Sequence, residues 1–159
     1  YVIMKKNDHL TFTARLKRIS DNLLYGAKDL YKTLNLEIEP NWHLIFLLFK
    51  EKNTLTITEI AEQLKISQPG VIKIVNKMKT KKYLKAEKDK KDSRIQLLKL
   101  TTKAKKELPK LEGIWSAGEK TIVDILDNNT EIFEHLDRIE IAISKSDYKE
   151  RTLIHLDND

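Results

Sequence analysis

Between Leu55 and Leu100 the apolar spacing changes period, and this change constrains the fold more than any other feature. Ile60, Ala61 and Leu64 recur at helical spacing, and Thr56 or Thr58 is placed to cap that short helix. Ser67-Gln68-Pro69-Gly70 follows: an N-cap serine with a proline in the first turn, where its missing N–H costs nothing. Val71, Ile74, Val75 and Met78 then form one stripe, which predicts a second helix over about 68–81. Two short helices with a tight turn form a helix-turn-helix or a plain helical hairpin. Immediately afterwards Tyr83–Lys88 and Ile95–Leu100 read as strands around the polar turn Asp89-Lys90-Lys91-Asp92-Ser93-Arg94. A helix pair followed at once by a β-hairpin is the arrangement of a winged helix.

The flanks are helical. Apolar residues at Phe12, Leu16, Ile19, Leu23, Leu30 and Leu34 predict a long amphipathic helix over Leu10–Leu34. After a break at 35–41, the nearly continuous apolar run Trp42–Phe49 predicts a buried second helix, far short of the ~18 residues a membrane span needs. A helix from Thr101-Thr102 to about Asp127 should be bent or interrupted by Pro109 and Gly113. Thr130 should cap a last long helix carrying Ile132, Phe133, Leu136 and Ile139, with the tail from Ser146 extending or fraying. With four glycines and three prolines in 159 residues, long helices are favoured over a turn-rich β-sandwich. The expected fold is therefore mainly α, an α+β winged helix: six helices with a two-stranded wing in a single chain, 1–159. Residues 40–101 form the winged lobe, and 8–35 with 102–150 form helices that pack together and against a second copy.

Charge is unevenly placed. Lys65–Lys106 holds fifteen basic and three acidic side chains, a net +12 in 42 residues. The rest of the chain is net −6, giving +6 for the whole. One basic block in an otherwise acidic chain is the footprint of a polyanion contact, although a lysine-rich solvated face gives the same count. No cysteine is present, which excludes disulfides, Cys-based zinc sites and thiol chemistry. His9, His43, His135 and His155 show no ligand spacing, and there is no phosphate loop or nucleophile constellation. No metal, cofactor or catalytic residue is expected. The absence of a leader-like start or a membrane span leads to the expectation of a cytoplasmic protein.

The stretch Leu55-Thr56-Ile57-Thr58-Glu59-Ile60-Ala61-Glu62-Gln63-Leu64 leading into Ser67-Gln68-Pro69-Gly70-Val71 resembles the MarR-type transcriptional regulators. The wing, with an Asp-x-Arg signature at Asp92 and Arg94, and Leu100-Thr101 before Lys103-Ala104 are similar to the same family, as is Glu39-Pro40-Asn41-Trp42. Three departures matter. Lys82 stands where the family usually has glycine; if that site is left-handed, lysine adds strain of ~1 kcal/mol. Gly70 and Ile72 replace small polar residues, leaving fewer donors for base edges.

The resemblance implies a homodimer on double-stranded DNA, a repressor on a pseudo-palindromic operator, released by a small-molecule effector. On the second helix of the pair, Gln68, Gly70, Ile72, Lys73 and Lys77 lie opposite the apolar stripe, and Ser67 with the first free N–H groups suits a phosphate. Gln pairs bidentately with adenine and Lys with guanine, whereas Ile72 touches only a thymine methyl. Lys90, Lys91 and Arg94 make a basic wing suited to a narrow minor groove. Asp92 cannot favour DNA directly, so its role there is to orient Arg94 or the turn. Tyr25, Trp42 and His43 are candidates for an effector pocket, or simply core aromatics. Two other readings stand beside the regulator: the winged-helix half of a larger acetyltransferase-type enzyme, and a helical protein-interaction module. The interaction module explains the long amphipathic helices but not the +12 block with its wing.

Overall fold

The computed structural model describes residues 9–90 and 92–157. A single 3₁₀ turn, His9–Thr11, leads into α1 (Phe12–Thr33), followed by α2 (Trp42–Glu51), α3 (Ile57–Leu64) and α4 (Gln68–Thr80). Strands β1 (Leu84–Lys88) and β2 (Gln96–Leu100) come next, then α5 (Thr102–Ile125), α6 (Glu131–Lys145) and α7 (Tyr148–Asp157). This is a mainly helical winged helix. The difference from expectation is at the end, where the tail folds into a seventh helix after the break at Ser146-Asp147. Among the described residues no helix is long and apolar enough to cross a membrane. The chain divides into two compact units between Pro109 and Lys110.

The first unit is built around the winged lobe. β1 and β2 pair antiparallel, Leu84 opposite Leu100 and Lys88 opposite Gln96. Leu55 adds a third rung beside β2 by exchanging two backbone bonds with Leu98, at 3.2 and 2.8 Å. One residue of strand before a threonine cap is too short for periodicity to reveal. α3 opens with a reciprocal cap: the Thr56 hydroxyl accepts from the Glu59 N–H at 3.1 Å, and the Glu59 carboxylate accepts from the Thr56 N–H at 2.8 Å. Ile60, Val71, Val75 and Met78 from the helix pair are buried together with Ile45, Phe46, Leu55 and Leu98.

The end of α4 sets where the wing begins. Lys82 is left-handed, with φ 61°, and its N–H donates to the Lys79 carbonyl at 2.9 Å while the Tyr83 N–H donates to Met78 at 2.8 Å. These two bonds are a Schellman cap with lysine in the position glycine usually takes. The turn drives Tyr83 into the core, 1% exposed, where its ring meets Trp42 and Phe46 edge-on at 5.6 and 5.8 Å between centroids. The phenol donates to Glu107 at 2.5 Å, and Lys103 Nζ lies 4.4 Å over the ring. Burial, then the Glu107 carboxylate, pushes the Tyr83 hydroxyl well above its ordinary pKa.

In the second unit α6 follows a turn in which Asp127 and Asn128 are left-handed, φ 50° and 59°. The expected Thr130 side-chain cap is not made; instead the Asn129 carboxamide accepts from the Glu131 N–H at 2.9 Å. Thr130 has helical backbone angles rather than the extended ones a capping side chain needs. α5 also runs through Pro109 without interruption, because a proline removes a single rung and the rungs on either side carry the helix across.

Two stability effects are expected. Lys82→Gly should raise unfolding free energy by about 0.5–1 kcal/mol, since glycine removes the left-handed penalty but adds freedom to the unfolded chain. Thr56→Ala should lower it by about 1 kcal/mol through loss of the cap. Urea unfolding with an unchanged slope checks both, and destabilisation by Lys82→Gly would contradict the strained-turn reading.

Candidate nucleic-acid interface

α4 presents two kinds of surface along its length. At its start the Ser67 hydroxyl accepts from the Gly70 N–H at 3.3 Å. A Cβ added at Gly70 would lie 3.3 Å from that same hydroxyl, so glycine leaves the cap uncrowded. Gln68 reaches Thr58 on α3 at 3.4 Å, and Ile72 is exposed, as is Lys73. Lys73 makes no ion pair with any described residue. The N-terminal half of α4 therefore shows an amide, a branched alkyl group and a free ammonium to solvent.

The C-terminal half differs. Lys77 Nζ lies 2.7 Å from one Glu39 oxygen and 3.0 Å from the other. Lys81 meets Glu37 at 2.9 Å, and Lys103 from α5 meets the same carboxylate at 3.5 Å. Lys81, then Lys103, holds the Glu37 carboxyl below the usual carboxylate range. These partners come from the extended link between α1 and α2. The sequence pattern puts Lys77 on the DNA face and gives no role to Glu37 and Glu39. The signal lay in the alternation Leu36-Glu37-Ile38-Glu39, whose Ile38 is buried.

At the wing, Asp92 holds Arg94 in three ways. Its Oδ1 accepts from the Arg94 backbone N–H and from Nε, both at 3.0 Å, and its Oδ2 accepts from the terminal nitrogen at 2.8 Å. The Arg94 side chain is 89% exposed, so this bidentate pair contributes little to stability and a great deal to direction. The turn is closed by Asp89, whose carboxylate accepts from the Asp92 N–H at 3.0 Å. Lys90 is exposed beside it, and Lys91 lies outside the described residues. Along the wing sheet Glu87 is bonded by Lys85 at 2.7 Å and Lys99 at 2.5 Å, which together hold its carboxyl down to about 2.

Two clefts flank the 36–39 link. One, of about 380 Å³, is lined by Tyr25, Tyr31, Leu36 and Ile38; the other, of about 440 Å³, by Leu36, Ile38, Trp42, Lys77 and Lys81. Tyr25 and Trp42 are thus in separate clefts. His43 lines neither, and its Nδ1 lies 2.7 Å from the Pro40 carbonyl at the start of α2. Among the described residues no group of histidines and carboxylates is placed to hold a metal ion.

Residues 36–95, the link, the helix pair and most of the wing, match the MarR family model. That stretch of the chain is similar to the MarR family. Similar solved structures carry the same fold across most of the chain. The Staphylococcus aureus MepR–DNA complex has 22% identity over 86% of this chain and 98% of that one, with a TM-score of 0.67. A MarR protein from Peptoclostridium difficile has 19% identity over 98% and 97%, also at 0.67. The repressor CouR bound to a 23-mer DNA duplex has 20% identity over 79% and 89%, again at 0.67. Comparison with curated proteins gives no match. These neighbours share the winged-helix fold with this chain.

The Asp92–Arg94 clamp has a pH signature. Bonds from the Arg94 side chain, then its backbone N–H, hold the Asp92 carboxyl below its ordinary value. A group depressed in this way keeps its pairing above the free-carboxylate pKa of about 3.9 and loses it only as pH falls through the lower value. The Arg94 Nε–H resonance should therefore be unchanged between pH 7 and pH 4.5 and absent in Asp92→Ala. A titration midpoint at or above 4 would contradict the clamp.

Proposed function

We propose that this chain is a homodimeric DNA-binding transcription regulator, a repressor that occupies a pseudo-palindromic operator and is released by a small-molecule effector. One observation carries the reading: in a winged helix similar to the MarR family, Lys73 on α4 makes no ion pair with a described residue and the wing arginine is fixed by Asp92. Ser67 and the free amides at the start of α4 suit a phosphate, Gln68 and Lys73 suit base edges, and Lys90, Lys91 and Arg94 suit the minor groove. The DNA-bound forms of MepR and CouR support this assignment by their fold.

Dimerisation is supported by uncovered apolar stripes on the flanking helices. On α1, Phe12, Leu16, Ile19 and Leu23 are each about 40–50% exposed; on α6, Ile132, Phe133 and Leu136 are uncovered in the same way. Such stripes are costly on a monomer and are covered in a symmetric pair. A two-fold axis then spaces two copies of α4 by ~34 Å, one turn of duplex. For the effector, the clefts beside the 36–39 link fall in the size range of small-molecule sites, with Tyr25 and Trp42 as aromatic walls. His43 belongs to the start of α2 beside them.

The salt dependence of binding tests the proposal. A dimer making roughly eight phosphate contacts should give a log–log slope near −7. Lys73→Ala should reduce preference for operator over random duplex by ~1–3 kcal/mol. Asp92→Ala should weaken operator binding although it removes a negative charge, because Arg94 loses its orientation. No DNA retention at low salt would overturn the regulator in favour of an interaction module or an enzyme's regulatory half, and tighter operator binding by Asp92→Ala would overturn the orienting role.

A further inference from the structure

The lysines of α4 are divided by what faces them. Lys73 and Lys79 make no ion pair with a described residue, whereas Lys77, one turn beyond Lys73, is gripped by both oxygens of Glu39, and Lys81, just after the helix, by Glu37. Glu37 also meets Lys103, whose ammonium donates to the Lys81 carbonyl at 3.2 Å. Two carboxylates from the acidic part of the chain thus reach into the basic block and occupy three of its ammonium groups. They are not placed there by chance conformations of a loose loop. Asn35 turns the chain out of α1 in the left-handed conformation, φ 53°, and the Leu36 N–H donates to Tyr31 at 2.8 Å. Ile38, 6% exposed, then pins the link between the two glutamates. Along the link Leu36 is half-buried, Glu37 exposed, Ile38 buried and Glu39 half-buried, so the anchor at Ile38 leaves the two flanking carboxylates within reach of solvent and of α4.

Fold stability does not explain these pairs. The side chains of Lys77, Lys81, Glu37 and Glu39 are 40–58% exposed, the regime in which an ion pair contributes at most ~1 kcal/mol. Their effect on a polyanion is larger. A lysine already neutralised by a fixed carboxylate releases few counter-ions when a phosphate approaches, and so adds little sequence-independent affinity. We propose that Glu37 and Glu39 form an internal counter-ion strap that withholds Lys77 and Lys81 from DNA and so sets specificity by suppressing non-operator binding. The inference rests on the DNA-binding reading. The two glutamates act through the lysines and touch no base.

The test is a charge cycle read on two polyanions, a random-sequence duplex and heparin, as a function of salt. Glu39→Gln is isosteric and frees Lys77. It should tighten random-duplex binding by about eightfold for each lysine released at 0.1 M salt, steepen the log–log slope by about 0.9 per lysine, and delay elution from heparin. Adding Lys77→Ala should cancel the gain, while Lys77→Ala alone should change little. Glu39→Asp, which keeps the charge, should behave as wild type. Glu119→Gln on α5 makes the same charge change at a carboxylate with no ion-pair partner among the described residues and should give less than a twofold effect. An unchanged slope in Glu39→Gln, a gain no larger than that of Glu119→Gln, or a gain that survives Lys77→Ala would overturn the strap. If the wild-type chain ignores DNA but the heparin cycle holds, the DNA reading fails and the strap stands.

Discussion

The left-handed turn at Lys82 is the constraint on which the remaining geometry depends. It ends α4 within one residue and delivers Tyr83 to the core, against Trp42 and Phe46. The same ring is bonded to Glu107 and covered by Lys103, so one side chain ties the end of α4 and the start of β1 to α2 and the beginning of α5. The Thr101 hydroxyl closes the arrangement by donating to the Lys82 carbonyl at 2.6 Å. Because β1 starts where this turn releases the chain, the position of Arg94 relative to Lys73 follows from it. Lysine in a left-handed turn costs about 1 kcal/mol over glycine, and the paired backbone bonds and aromatic packing offset that cost.

On this scaffold the charged side chains divide by what faces them. Those that are clamped do not hold the fold together, since they are largely exposed; they fix where charge is presented. Asp92 keeps Arg94 pointed from the wing, whereas Glu37 and Glu39 mask ammonium groups on the far half of α4. The net +12 of Lys65–Lys106 is therefore not a uniform field. Lys77, Lys81 and Lys103 face carboxylates, whereas Lys73 at the start of α4 makes no ion pair with a described residue.

Much of this was legible in the sequence because local rules govern it. The stripe Val71, Ile74, Val75, Met78 gave α4, Ser67 and Pro69 gave its start, and alternation gave the wing to within a residue. The left-handed site at Lys82 was visible as a departure from the MarR pattern. What escaped is long-range. Lys77 and Glu39 are 38 residues apart, and no periodicity reports that they meet. Leu55 joins the sheet with one residue, below what alternation can detect. Thr130 and Asn129 are both good capping residues, and only backbone angles decide between them. Tyr25, Trp42 and His43 were grouped by residue type, yet each lies in a different setting because the 36–39 link runs between the two clefts.

The most direct test of the central claim is a hydroxyl-radical footprint of the full chain on DNA flanking its own gene. Two chains related by a two-fold axis, each placing the start of α4 in a major groove and Arg94 in the neighbouring minor groove, should protect windows on one face of the duplex. Their centres should lie ~10 base pairs apart, with lighter protection outside them where the wings reach. Continuous protection without that spacing, or none at concentrations where the protein is a dimer, would contradict it.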